Sequence, residues 1–140
     1  MQNTTWQDPT KIESALRAVN ESYYQAFAAR DLAAMEALWA PEGVACVHPG
    51  WPALIGRKAV IGSYRDIFRN PSQEAVTARD SKIVIGEGDG RVYCVEEVGG
   101  GLLLATNWFR LIEEDWRLIH HQASPLAPPP AQPASKTAFH

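Results

Sequence analysis

The chain has little of anything that would mark a special environment. It holds two cysteines in 140 residues, Cys46 and Cys94, in separate strand-like stretches and without metal-type spacing, so they read as reduced thiols. It lacks a basic excess: 13 Lys and Arg stand against 16 Asp and Glu, a formal charge of -3, and that balance offers no footprint for nucleic acid or an anionic membrane. No apolar run approaches the roughly 20 residues needed to span a bilayer. No basic-then-apolar leader opens the chain, which together with the reduced thiols predicts a cytoplasmic protein. No internal repeat is present. What remains, 46 % hydrophobic with 21 % charged residues, is ordinary for a globular protein, and the length suits one domain with a single core.

The most informative stretch is Val44-Ala45-Cys46-Val47-His48-Pro49-Gly50-Trp51. In an extended chain Val44, Cys46 and His48 share one face, so a titratable group sits at the end of an otherwise apolar strand. Pro49 cannot donate to a ladder and Gly50 frees the backbone, so the strand should stop at His48 and present Trp51 on a loop.

Around this strand the periods are clear. Met1 to Gln7 is polar and expected to fray. Asp8-Pro9-Thr10 reads as a helix start, and Ile12, Leu16, Val19, Tyr23 and Phe27 line one side of a helix to about Arg30. Asp31 can cap a second helix with Leu32, Met35, Leu38 and Trp39 buried, ended by Pro41-Glu42-Gly43. After a Pro49–Gly56 loop, Val60, Ile61, Tyr64, Ile67 and Phe68 place a third helix over Arg57–Arg69. The period then changes. Ala75–Ile85, Arg91–Val98, Leu102–Glu113 and Trp116–Ala123 are strand-like and separated by glycine-rich or acidic turns, which predicts antiparallel hairpins. The sum is α+β: three N-terminal helices packed on a curved, mixed, mostly antiparallel sheet. The domain should cover residues 1–124, with 125–140 a proline-rich flexible tail containing Pro128-Pro129-Pro130.

Tyr23-Tyr24-Gln25-Ala26-Phe27, Ala29-Arg30-Asp31-Leu32, Leu38-Trp39-Ala40-Pro41-Glu42, the His48 strand, Ile55-Gly56-Arg57, Asn107-Trp108-Phe109-Arg110 and Trp116 through His121 together resemble the nuclear transport factor 2-like superfamily, and more closely its SnoaL-like branch. The resemblance covers about Pro9 to Pro125. It implies a cone-shaped barrel whose pocket opens between helices and a bent sheet, commonly paired into homodimers through the outer sheet face. The family hosts isomerases, dehydratases, cyclases and hydrolases, and also association and scaffold domains without chemistry. Against ketosteroid isomerase, Tyr23 falls at the oxyanion-binding tyrosine, His48 at the base and Asn107 at the neutral acid. Two of these residue types differ from that enzyme's. A donor, a base and a second donor converging on one cavity are what carries over.

The expected site therefore has His48, Tyr23 and Asn107 as catalytic residues, with Trp51, Cys46, Trp39, Tyr64 and one of His120 or His121 lining a ligand cavity. His120 and His121 are adjacent on a strand, so only one of them can enter it. With an ordinary pKa near 6.5, His48 has the proton affinity a general base needs at neutral pH. Tyr23 lies on the apolar stripe of the first helix, and a buried tyrosine must find a partner for its hydroxyl. Glu96-Glu97 and Arg57-Lys58 read as solvated turns and edges. No metal and no cofactor is expected. The function predicted is binding of a small, mostly apolar ligand, with cofactor-free isomerisation or dehydration next to a carbonyl. The alternative is a homo-oligomeric association domain.

Overall fold

The computed structural model describes residues 8–127. Helix α1 (Pro9–Ala29) begins where Asp8 accepts from the Thr10 N–H, and Pro9 takes the first turn, where a missing N–H costs nothing. It stops at Arg30, whose left-handed backbone (φ 53) turns its N–H back onto the Ala26 and Phe27 carbonyls. The Arg30 guanidinium then donates to the carbonyls of Phe68, Asn70 and Gln73, which ties the end of α1 to a distant turn. Helix α2 (Leu32–Leu38) is capped by Asp31 as expected. It ends one residue before Trp39, because Trp39 is already extended and bridged to Leu118.

Helix α3 (Arg57–Arg69) has the predicted bounds. Arg57, expected in solvent, is part-buried and donates to the carbonyls of Glu36, Trp39 and Ala40, so it satisfies the C-terminal end of α2. A charged group within reach of three orphan acceptors is better placed there than in water.

The strands are β1 (Ala45–Val47), β2 (Leu54–Ile55), β3 (Val76–Ile85), β4 (Asp89–Val98), β5 (Gly101–Ile112) and β6 (Asp115–Pro125). They form one sheet in the order β2-β1-β6-β5-β4-β3. The four long strands are an antiparallel meander, whereas β1 is antiparallel to β2 and parallel to β6. The sheet is mixed and its edges do not meet, so the helices complete the cone. Strand β2 lies inside the stretch expected to be loop, since two residues carry no readable alternation. Strand β6 bulges opposite the Trp108–Phe109 step of β5, with Ile119 as the extra residue, so that Leu118 and Ile119 are both buried. Strand β6 runs through Pro125 and the Leu126 N–H donates to Leu102, so the first residues of the expected tail are paired. The rest of that tail and the expected N-terminal fray fall outside the described residues.

The core lies between the helices and the inner sheet face, with Leu16, Met35, Tyr64, Val60, Phe109 and Leu118 fully covered. No helix among the described residues is long and apolar enough to cross a membrane. Helix α1 packs closely on β4 at Gly90, where an added Cβ would sit 2.4 Å from Leu16 Cδ1. Leu16 is itself fully buried and has nowhere to move. A Gly90→Ala protein should therefore lose about 1–3 kcal/mol of stability in urea unfolding; an unchanged midpoint would show the contact to be slack.

Candidate functional site

A cavity of about 390 Å³ opens between α1, α3 and the inner face of the sheet. Its wall includes Tyr23, Tyr24, Phe27, His48, Glu96 and His121, and Pro49, Trp51, Asp66, Asn70 and Gln73 also line it. The imidazole of His48 is 5 % exposed and looks into this hollow, edge-on to the Trp51 ring at 4.9 Å. Trp51 is 40 % exposed, a lid at the rim.

Hydrogen bonds fix the tautomers. Ser63, on α3, donates its only proton to the Val60 carbonyl (2.6 Å), so its oxygen can only accept from His48 Nε2 at 2.9 Å. His48 thus carries its proton on Nε2 and keeps the Nδ1 lone pair. Asn107 Nδ2 donates to Asn20 Oδ1 (2.8 Å) and to the Tyr24 hydroxyl (3.1 Å), which leaves Oδ1 to accept from His121 Nδ1 at 2.5 Å. His121 accordingly keeps its lone pair on Nε2. The two imidazole centroids are 6.2 Å apart.

The pairing of β1 with β6 produces this proximity, because Cys46 lies opposite His121 and His48 follows on the same face. Alternation decides between the adjacent histidines: His121 is 3 % exposed in the cavity wall, while His120 lies partly exposed on the other face against Gln122. His120 is therefore not part of the lining. Nor are Cys46, Trp39 and Tyr64, expected as ligand contacts; each is buried in the layer behind the cavity. Tyr64 supports Tyr23 from there, with the two hydroxyls 2.7 Å apart. Asn107 is fully buried behind His121, and both of its amide hydrogens are used within the protein, so it orients the imidazole and does not face a ligand.

Glu96 departs furthest from expectation. It is 4 % exposed and accepts from the Tyr24 hydroxyl at 2.5 Å. The pattern had a signal for this: Val92, Cys94 and Glu96 continue one inward phase of β4, with Arg91, Tyr93, Val95 and Glu97 on the other. Asn20 was equally readable as a polar residue on the inner side of α1, four after Leu16.

Burial governs the charge states. It lowers the His48 pKa to about 4, and lowers that of His121 to about 3 with further contributions from His48 and His120. It raises the Glu96 carboxyl, against the Tyr24 hydrogen bond, which lowers it. It pushes the Cys46 thiol up to about 12, which makes this thiol inert as a nucleophile. Among the described residues no group of three or more His, Cys, Asp or Glu is arranged to hold a metal ion.

The chain matches the model of the SnoaL-like domain over residues 16–128 and belongs to that family. A proposed dehydratase of the NTF2-like family from Streptomyces avermitilis is 30 % identical, with a TM-score of 0.77 over 86 % of this chain and 100 % of that one. A proposed calcium/calmodulin-dependent protein kinase type II association domain from Thiobacillus denitrificans is 31 % identical, with a TM-score of 0.69 over 79 % and 94 % of the two chains. An NTF2-like protein with a cystatin-like fold from Novosphingobium aromaticivorans shares the fold at 16 % identity, with a TM-score of 0.64 over 91 % and 88 %. No curated protein matches.

The buried imidazoles make stability depend on pH. Unfolded histidine binds its proton near pH 6.5, whereas folded His48 and His121 bind theirs only near 4 and 3. Their contribution is therefore complete above about pH 6.5 and is lost as pH falls toward those folded values. Glu96 acts in the opposite sense, since its raised folded pKa gives stability that is lost as pH rises through it. Two imidazoles outweigh one carboxyl, so the folded chain should be less stable at pH 5 than at pH 6.5, each imidazole contributing up to about 1.4 kcal/mol per pH unit. His121→Gln should reduce that slope in urea titrations, and a wild-type slope of zero would mean solvated rings.

Proposed function

We propose that the cone cavity binds a small, mostly apolar carbonyl compound and catalyses cofactor-free proton transfer next to the carbonyl, as isomerisation or dehydration, with an imidazole as base. The observation that carries this is the pair of neutral imidazoles on one cavity, each held in one tautomer by a buried partner with its other nitrogen unprotonated. Burial keeps both lone pairs free at neutral pH but lowers the proton affinity of the rings below the ordinary 6.5, so either acts as base only on a C–H that the bound carbonyl has made acidic. The volume suits a compact ligand, and Phe27, Trp51, Ile67, Val76, Val98 and Leu103 supply apolar walls. Tyr23 is the donor to a developing oxyanion: burial holds its hydroxyl well above its ordinary pKa, hence protonated, and when Tyr64 donates to it Tyr23's own proton is free for a ligand. Asn107 positions His121. The similarity to a proposed dehydratase supports the reaction class.

Exchange of solvent deuterium into the carbon next to the carbonyl of 4-phenylbutan-2-one, followed by NMR, reads the base directly. The wild type should accelerate exchange. The protein carrying both His48→Ala and His121→Ala should fall to the buffer rate, and full exchange by it would eliminate imidazole catalysis.

A separate observation favours assembly as well. Leu104 and Trp108 lie half-exposed on the outer face of β5, and the cross-strand partners Arg91 and Val84 extend that face over β4 and β3. We infer that this face joins two copies of the chain, the reading that the similarity to an association domain also supports. Sedimentation should find a dimer at micromolar concentration and a monomer after Leu104→Glu with Trp108→Glu; a wild-type monomer would remove the dimer.

A further inference from the structure

Resting on the proton-transfer reading above, we propose that Glu96 is the proton donor of the cavity and His121 its proton acceptor, so that the site eliminates water from neutral β-hydroxy carbonyl compounds. The argument begins with the direction of each hydrogen bond. Tyr24 accepts from Asn107 Nδ2 and donates its O–H to Glu96 Oε2, while Asn107 Oδ1 accepts from His121 Nδ1. Cys94 Sγ lies 3.3 Å from the Tyr24 hydroxyl, and with the thiol as donor there the Tyr24 proton belongs to the bond with Glu96 Oε2. The chain has two ends, Glu96 Oε1 and His121 Nε2, and both residues line the same cavity.

With Oε2 committed as an acceptor, an un-ionised Glu96 must carry its proton on Oε1. Un-ionised is its resting form for a geometric reason: no Lys or Arg among the described residues lines the cavity, and the carboxyl is almost fully buried. Its acidic neighbours are the neutral hydroxyls of Tyr24 and Tyr23, the thiols of Cys94 and Cys46, and Asp66 in the cavity lining; its basic ones are His121 and His48. The same lining fixes the substrate class. A carboxylate or phosphate ester would enter beside Asp66, with no Lys or Arg among the described residues of the lining to offset its charge, whereas a neutral molecule brings no charge to compensate.

The step balances without a cofactor. His121 Nε2 takes the proton from the carbon next to the carbonyl, and the C–H electron pair becomes the new C=C bond. The bond from the β-carbon to its hydroxyl oxygen breaks, and the departing oxygen takes the Oε1 proton and leaves as water. An imidazolium and a carboxylate remain, joined by Asn107 and Tyr24, so the two charges arise together and offset each other in a medium where either alone would be costly. Return of the proton from His121 to Glu96 through the released water resets the site. Isomerisation by one base would need no separate acid, and a buried carboxyl at the other end of the imidazole's own hydrogen-bond chain is what an elimination requires.

Two measurements test this. At pH 7 the infrared spectrum of the wild type should contain the carbonyl stretch of an un-ionised carboxylic acid, absent from Glu96→Gln; its absence from the wild type would overturn the proposal without any ligand or variant. Conversion of 4-hydroxy-4-phenylbutan-2-one to its enone is the second. Glu96→Gln should lower it at least about 100-fold, a far larger loss than it causes in deuterium exchange into 4-phenylbutan-2-one, and His121→Gln should lose both. Tyr24→Phe, which keeps the carboxyl but removes its partner, should fall between wild type and Glu96→Gln. Wild-type elimination rates in Glu96→Gln would overturn the acid role and leave the imidazole base standing. Failure of the wild type in both exchange and elimination would overturn the proton-transfer reading itself. Turnover of 3-hydroxy-3-phenylpropanoate at the rate of the ketone would overturn the selection of neutral substrates.

Discussion

The parallel pairing of β1 with β6 is the constraint on which the rest of the molecule depends. Strand β1 is three residues long and could not hold a position alone. Its place comes from β6 on one side, β2 on the other and the apolar layer of Val44, Cys46, Tyr64 and Val60 beneath it. That register puts Cys46 opposite His121, and from it follow the approach of the two imidazoles, the covering of His48 by Trp51 and the closing of the cavity between α1 and α3. A shift of one residue would turn His48 to the other face and leave the cavity with one imidazole.

The second level of organisation is polar. Asn20, Tyr24, Cys94, Glu96, Asn107 and His121 form a connected group in the interior, drawn from α1, β4, β5 and β6. Burying these groups among apolar side chains is costly, and mutual satisfaction offsets that cost only if all of them keep their geometry. The network therefore fixes α1 against the sheet with a specificity that apolar contact alone would not give, and it leaves an imidazole nitrogen and a carboxyl oxygen over for the cavity.

Much of the fold was legible because its signals are local. Three and four residue spacing placed α1 and α3, Asp8 and Asp31 sit at the caps they were expected to occupy, and the alternating, turn-separated segments became the four-strand meander. What went unread was non-local. Strand β2 has no pattern of its own, Arg57 finds its acceptors on another helix, and Glu96 was grouped with its exposed neighbour Glu97. Tyr64 and Trp39 were expected at the ligand because aromatic residues line pockets, but an apolar period locates the side facing inward and does not separate core from cavity.

The sequence by itself determined the class of fold, the limits of α1 and α3 and the presence of His48 at the end of β1, since each depends on interactions within a few residues. Only the tertiary structure decided that His121 and not His120 reaches the cavity, that Asn107 stands behind it and that Glu96 is buried. The physical reason is that a hydrogen-bond partner or a burial state belongs to a pair of distant segments, and the chain must close on itself before either is defined.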